Sequence, residues 1–198
     1  MAQTAKTYTE QQFIENVREA FASSRDARLQ AQTIADRLRE LFATGWPLSS
    51  EKLGKENGTY LMHADTERGH PDPGFMVMAY RQGPKKAAPP SPHDHGACFV
   101  VYGVAAGSNL QTRYRWTYGE DSTQPPVLEK TMDILQKPGD AAYFLPGEIH
   151  STQGSTDEET VYVRVTSQDL DGAWRHRYHL GDNKTTVFRS ATQPQTPV

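Results

Sequence analysis

The sequence predicts an all-β fold preceded by two α-helices, and two observations support this prediction. Before residue 50, apolar side chains recur at the three- or four-residue spacing of amphipathic helices. From Gly58 onwards, short apolar runs alternate with turns rich in Gly, Pro, Asp and Asn, which is typical of an all-β sandwich or barrel. We therefore expect one domain, with a helical segment at 1–57, a β-barrel at 58–190 and a flexible tail at 191–198.

Length, charge and cysteine content exclude several classes of protein. A chain of 198 residues can bury a substantial core as one domain. Its net charge of −3 provides no basic surface for nucleic acid or for an anionic membrane. The single cysteine, Cys98, allows no internal disulfide and suits a reducing compartment. Without a signal-like or membrane-spanning apolar run, we expect a cytoplasmic protein that binds neither nucleic acid nor membrane. A homodimer remains open.

Two helices are expected at the N-terminal end. Thr9 and Gln12 have the spacing of a capping box, so the first helix begins there and runs to about Ala22. Ser24 is the expected N-cap of the second helix, which ends before Gly45. The apolar stripe of the second helix comprises Leu29, Ile34, Leu38, Leu41 and Phe42. The pair either covers one face or end of the barrel or forms a dimer contact, and the sequence leaves both alternatives open.

The remaining chain is expected to form short strands. They are 59–64, 75–81, 95–104, 110–118, 127–135, 141–145, 150–153, 161–167, 173–180 and 186–189. A connector rich in Pro and Lys, 83–92, leads into the third of them.

Three histidines have the spacing of a metal site. His93 and His95 lie two residues apart on an expected strand, so both imidazoles project from the same face. His150 follows the Pro146-Gly147 turn, on the second strand of an expected hairpin. Imidazole is a common ligand of first-row metals, so these three side chains are the candidate metal ligands. The other four histidines are expected to be structural, namely His63, His70, His176 and His179.

These motifs resemble those of a known superfamily. The H-x-H of His93–His95 and the G-D-x5-P-G-x-x-H of Gly139–His150 are similar to the two cupin motifs, over about residues 75–170. The resemblance implies a double-stranded β-helix, the jelly-roll barrel of the cupins. Most metal-binding cupins also carry a glutamate where this chain has Phe99 and Val100. The remaining three-histidine site is similar to that of the thiol dioxygenases for cysteine and 3-mercaptopropionate, and to that of a few C–C-cleaving cupin dioxygenases.

The resemblance implies a mononuclear non-haem Fe(II) dioxygenase that uses O2 and no 2-oxoglutarate. Three neutral imidazoles leave the ion its full 2+ charge and open coordination positions, which suits a small anionic substrate. A thiol-bearing carboxylic acid is the first expectation. One alternative is oxidative C–C cleavage of a diketone or hydroxyketone, and another is a cupin that only binds a small molecule. Manganese, nickel and zinc are compatible with the same ligands.

One strand supplies the candidate catalytic residues. In 161–166, valines alternate with Tyr162, Arg164 and Thr166, so the three polar side chains share a face. The thiol dioxygenases have a Ser-x-His-x-Tyr triad at these positions, which implies that the proton and substrate network is rebuilt here. Arg164 and Tyr162 are the candidate catalytic residues. Arg164, with Arg81 at the end of an earlier strand, is the candidate for binding a substrate carboxylate.

Overall fold

The computed structural model describes residues 8–65, 74–84, 86, 88–118, 126–170, 173–180 and 184–189. The predicted tail at 191–198 and His70 lie outside these residues. The described elements are α1 (Glu10–Ser23), α2 (Ala27–Phe42), β1 (Gly58–Ala64), β2 (Met76–Gln82), β3 (Val100–Ala106), β4 (Asn109–Thr117), β5 (Val127–Gln136), β6 (Ala141–Phe144), β7 (Ile149–Gly154), β8 (Thr160–Thr166), β9 (Arg175–His179) and β10 (Lys184–Phe188). Neither described helix is long and apolar enough to cross a membrane.

The strands form two sheets in the order of a jelly roll. The first sheet has the order β1-β2-β8-β3-β6. In the second, β5-β4-β7 continues through the short segment 92–94 to β9 and β10, because His93 bridges His150 on one side and Arg177 on the other. The orders β2-β8-β3-β6 in the first sheet and 92–94, β7, β4, β5 in the second are those of a double-stranded β-helix. The predicted fold class is therefore confirmed.

The start of α1 follows the prediction and the start of α2 does not. The Thr9 hydroxyl accepts from the Gln12 backbone N–H, and the Gln12 side chain accepts from that of Thr9, which completes the capping box. The N-cap of α2 is Asp26 rather than Ser24, because the Asp26 carboxylate accepts from two N–H groups of the first turn. Ser24 instead ends α1 and accepts from the Asp26 N–H.

The helices cover the outer face of the first sheet. Their buried side chains share one core with the outward-facing valines of β8, which are Val161, Val163 and Val165. Helix α2 packs directly over Gly103 of β3, where an added Cβ would lie 2.5 Å from Cε2 of Phe42. Ile34, Leu38 and Leu41 are buried as expected, whereas Leu29 is 56% exposed and does not belong to the stripe. Of the two roles left open for the helices, the structure shows the covering of a sheet face.

Two expected local structures differ near the histidines. Strand β3 begins at Val100 rather than residue 95, because His95 opens a turn in which Gly96 has a φ of +61° and the Cys98 N–H donates to the His95 carbonyl. The expected hairpin that ends on His150 is not formed, since β6 pairs with β3 in the first sheet and β7 with β4 in the second. The turn before His150 carries the chain from one sheet to the other.

The inner face of the first sheet is apolar and aromatic. Its buried cluster consists of Met78, Tyr80, Val100, Tyr102, Val104, Phe144 and Tyr162. Phe144 stacks on the His150 ring of the second sheet, with centroids 3.9 Å apart. The candidate site therefore lies between the two sheets.

Candidate metal site between the sheets

The structure brings the three predicted histidines together. Ligand atoms of His93, His95 and His150 all lie within 4.8 Å of one another, and Nε2 of His95 is 3.0 Å from Nε2 of His150. His95 is 3% exposed and His150 is fully buried, while His93 is partly exposed. The cluster thus lies at the edge of the interior, and His93 is its partly exposed member.

Backbone pairing places two of the ligands on one face. The N–H of His93 donates to the His150 carbonyl at 2.8 Å, and the N–H of His150 donates to the His93 carbonyl at 3.0 Å. Residues that exchange both hydrogen bonds in an antiparallel pair are directly opposite, so their side chains leave the sheet on the same side. His95 follows two residues later, immediately before its turn, and adds the third imidazole.

Hydrogen bonds fix the orientation of two imidazoles. Nδ1 of His150 lies 2.9 Å from the Gln111 side-chain carbonyl, and Nδ1 of His93 lies 3.0 Å from the Ser91 carbonyl. A carbonyl oxygen only accepts, so both Nδ1 atoms carry the hydrogen and both Nε2 atoms keep a lone pair. This is the usual support of a metal-binding histidine by a neighbouring acceptor.

The donor set fits a divalent first-row metal. Two nitrogens bound to one ion at about 2.0–2.1 Å and a right angle lie about 3 Å apart, which is the separation of the His95 and His150 Nε2 atoms. Without an ion or proton between them, these two lone pairs repel each other. Three neutral nitrogens suit Fe(II), Mn, Ni or Zn, so the geometry is compatible with a divalent metal site and does not select the element.

Burial keeps the three ligands neutral. Desolvation lowers the pKa of His93 and holds the pKa values of His95 and His150 well below their usual range. The positive charge of Arg164 acts in the same direction on all three rings. A neutral imidazole is the form that binds a metal, so the site does not need to lose protons before an ion enters.

Arg164 lies on the inner face of β8, on the same side as the predicted polar stripe. It pairs in register with Tyr102 of β3, and its guanidinium carbon is 5.1 Å from the centroid of Tyr80. Among the described residues its Nε has no hydrogen-bond partner, and no ion pair includes it. A guanidinium in such surroundings favours an anionic ligand.

Tyr162 also lines the interior. Its ring stacks on Tyr80 at 4.6 Å with an interplanar angle of 4°, and its hydroxyl accepts from the Gln82 side chain. Burial holds the pKa of Tyr162 well above its usual range, so the hydroxyl keeps its proton. The predicted candidates Tyr162 and Arg164 therefore share the inner wall that faces the histidines.

Arg81 does not reach the site. It follows the inward-facing Tyr80 by one residue and so points to the outer face of β2. There its Nε donates to the Gly54 carbonyl, and its guanidinium pairs with Glu159 at 2.5 Å. The predicted substrate-binding role of Arg81 does not fit this position, because its guanidinium is held on the wrong side of the sheet.

Three further residues belong to the site and were not predicted. The Tyr102 hydroxyl lies 3.4 Å from Nε2 of His95, and Gln111 contacts His150. The buried Asp94 carboxylate accepts from the Tyr178 hydroxyl, the His176 ring and two backbone N–H groups, which ties β9 to the segment between the ligands. Alternation along β3 and β4 could have placed Tyr102 and Gln111 inside, but nothing in the sequence pairs them with particular histidines.

Comparison with known proteins finds only distant similarity. No family model and no curated protein matches the chain. A cupin protein from Bacteroides fragilis has 16% identity and a TM-score of 0.34, over 48% of this chain and 66% of that one. A cupin superfamily protein from Desulfitobacterium hafniense has 10% identity and a TM-score of 0.38, over 59% of this chain and 82% of that one. A sugar phosphate isomerase of the cupin superfamily from Silicibacter pomeroyi has 14% identity and a TM-score of 0.37, over 62% of this chain and 72% of that one. At these identities and TM-scores the likeness does not extend to substrate or activity.

Proposed function

We propose that this protein is a mononuclear non-haem Fe(II) dioxygenase that acts on a small anionic substrate. The first candidate substrate is a thiol-bearing carboxylic acid. The observation that carries the proposal is the cluster of three neutral histidines, two of them buried and His93 partly exposed, together with a guanidinium that no described carboxylate pairs. An all-imidazole site leaves the positive charge of the ion uncompensated, and Arg164 adds a second positive charge. Both charges favour a substrate that brings its own negative groups.

The metal would be held by His93, His95 and His150. When bound, Fe(II) would supply the oxygen chemistry, which protein side chains cannot perform. Gln111 and Ser91 orient two of the imidazoles, and the His93–His150 backbone pair keeps them on one side of the sheet. Manganese, nickel or zinc would occupy the same ligands with different chemistry.

The remaining inner residues would bind and orient the substrate. Arg164 can hold a carboxylate through two parallel charge-assisted hydrogen bonds. Tyr80 and Tyr162 keep their protons, since burial raises the pKa of Tyr80 to about 12 and holds the pKa of Tyr162 well above its usual range. The Tyr80 hydroxyl has no partner among the described residues and can donate to the same carboxylate. Tyr162 is a catalytic candidate as a proton-carrying phenol on this wall.

The apolar part of the wall supports a second candidate, oxidative C–C cleavage of a diketone or hydroxyketone. Met78, Val100, Val104 and Phe144 line the interior together with the tyrosines. Such a wall suits a substrate whose only charged group is an enolate. Arg164 distinguishes the two candidates, because a carboxylate needs the guanidinium and an enolate bound to the ion does not.

Metal analysis combined with oxygen uptake tests the proposal. The purified protein is loaded with Fe(II) and offered a panel of thiol carboxylic acids and diketones. We expect oxygen consumption that needs Fe(II) and neither 2-oxoglutarate nor a nicotinamide. Equal turnover under strict anaerobiosis would point to a lyase or isomerase. Absence of uptake with every compound, despite full iron loading, would indicate a cupin that only binds a small molecule.

A further inference from the structure

Gln111 of β4 has one end of its amide occupied and the other free. Its carbonyl oxygen accepts from the Thr152 hydroxyl at 2.9 Å and lies 2.9 Å from Nδ1 of His150. An amide oxygen has two lone pairs, and these two donors use both. The amide is therefore fixed in one orientation, with the oxygen toward β7 and the NH2 group away from these partners.

The NH2 group of Gln111 has no acceptor within the described part of the chain. Its Nε2 makes no hydrogen bond, although the side chain is fully buried. Leaving a buried donor unpaired is unfavourable, and native proteins rarely retain one without a water, ion or ligand that satisfies it. A partner from outside the chain is thus expected at this atom.

No acceptor among the described residues lies within hydrogen-bond distance of this donor. The buried Asp94 carboxylate, in the segment between His93 and His95, already accepts from four donors. Arg164 only donates, and the Nε2 atoms of the histidines are the metal-binding atoms. Asn109, two residues earlier on the same face of β4, is fully buried and also leaves both amide atoms unpaired. Unpaired amides therefore continue along this wall from the residue that contacts His150.

We infer that Gln111 is a substrate-binding residue as well as the support of His150: its carbonyl orients the imidazole, and its NH2 group donates to an oxygen of the anionic ligand at the metal. This inference rests on the proposed function, because the acceptor belongs to the substrate. It adds a neutral donor on the second sheet to the cationic one that Arg164 provides on the first. The substrate is then held from both walls.

The substitution Gln111→Glu separates the two roles. Glutamate keeps an oxygen acceptor for His150 and Thr152 but replaces the NH2 group with a second oxygen, which repels an anion. Protein loaded with Co(II) reports ligand binding without turnover, through the thiolate-to-metal absorption of bound 3-mercaptopropionate. We expect Gln111→Glu to keep Co(II) affinity within threefold and to weaken 3-mercaptopropionate binding at least tenfold. Gln153→Glu, which adds the same charge to the opposite face of β7, should change neither value.

A second variant keeps the test decisive if a buried glutamate prevents folding. Gln111→Met has a similar length but neither acceptor nor donor, so it should weaken both Co(II) and 3-mercaptopropionate binding. Wild-type ligand affinity in the variants, with only Co(II) affinity reduced, would overturn the inference and leave Gln111 as a support of His150. Wild-type protein that holds Co(II) but binds no thiol acid would overturn both the inference and the proposed function.

Discussion

Each of the three histidines supplies one neutral nitrogen to the cluster, so each should be needed for metal binding. We expect His93→Ala, His95→Ala and His150→Ala to lose most of the bound metal, with far-ultraviolet circular dichroism preserved because the sheets do not depend on these rings. His179→Ala is the matched control, since His179 is exposed and bonds Thr186. Elemental analysis of the purified variants measures the outcome. Full occupancy in all three would reject the site.

Arg164 should affect substrate capture and leave the metal in place. Replacing it by Met or Lys removes a bidentate contact worth about 1.5–3 kcal/mol, which corresponds to a rise in KM of roughly ten- to a hundredfold. Lysine should not restore the wild-type value, because a single ammonium cannot copy the planar fork. Steady-state kinetics with iron analysis provide the measurement. Arg115→Met serves as control, since Arg115 is exposed on β4.

Unchanged KM in both Arg164 variants would show that the guanidinium does not contact the substrate. The KM for a carboxylate-bearing substrate should rise in these variants, whereas the KM for a diketone should not. The same variants therefore also separate the two candidate reactions.

At the scale of single residues, the sequence identified the three histidines of the cluster but not the residues that support them. His93 and His95 were predicted from their two-residue spacing and His150 from the Pro-Gly turn before it, although the backbone pairing that places His93 opposite His150 joins segments far apart in the chain. Gln111 could not be assigned, since its contact with His150 depends on the pairing of β4 with β7. Arg81 was predicted to bind the substrate, but successive side chains of a strand point to opposite faces. Because Tyr80 points to the inner face, Arg81 points to the outer one.

Among the elements, the contact of α2 with β3 depends on the absence of a side chain at Gly103. An added Cβ would lie 2.5 Å from Phe42 Cε2 and 2.8 Å from Leu38 Cδ2. We expect Gly103→Val to lower the free energy of unfolding by about 1–3 kcal/mol, as overpacking of a core does. Urea denaturation measures the effect. Gly154→Ala is the control, because its nearest atom would be at 3.5 Å, an ordinary contact.

A loss of stability confined to Gly103→Val would confirm that the helices are packed tightly on the sheet. Equal free energies of unfolding for the two variants would show that α2 can shift to accommodate the added side chain without destabilising the protein.

Element boundaries were predictable where a local signal sets them. The capping box at Thr9 is such a signal, and α1 begins there. The cap of α2 was misassigned because Ser24 and Asp26 are both good N-caps, and only the observed hydrogen bonds distinguish them. The crossing between β6 and β7 was read as a hairpin, since a Pro-Gly turn looks the same whether the chain returns to its own sheet or moves to the other.

For the whole molecule, the buried histidines predict how stability depends on pH. Burial lowers the pKa of His93, His95 and His150 in the folded state, whereas each titrates near 6.5 in the unfolded chain. Between these values the unfolded chain binds more protons, so the free energy of unfolding of metal-free protein should fall as pH falls below 6.5. Three such groups give a slope of up to about 4 kcal/mol per pH unit.

Urea unfolding of metal-free protein at about pH 7.5 and about pH 5.5 measures this dependence. His150→Gln should reduce it, because the variant removes one of the three groups. Equal stability of the wild-type protein at both pH values would contradict the burial of the site in solution.

The fold class could be predicted from local sequence patterns, whereas the pairing of the strands could not. Alternation of short apolar runs with turn residues indicates an all-β fold wherever the strands pair. The order in which β8 lies between β2 and β3 depends on contacts between distant parts of the chain. Only the resemblance of the histidine motifs supplied that order, and the structure agrees with it.

The covering of the first sheet by the helices also bears on synthesis of the chain. Helices α1 and α2 are made first, but the valines of β8 that complete their core follow about 120 residues later. At about 5–20 residues per second, the apolar faces of the helices wait roughly 6–24 s on the ribosome before β8 emerges. During that time they are exposed to chaperones and to aggregation. A fragment that lacks the helices would meet the same hazard from the other side, since its valine face would never be covered.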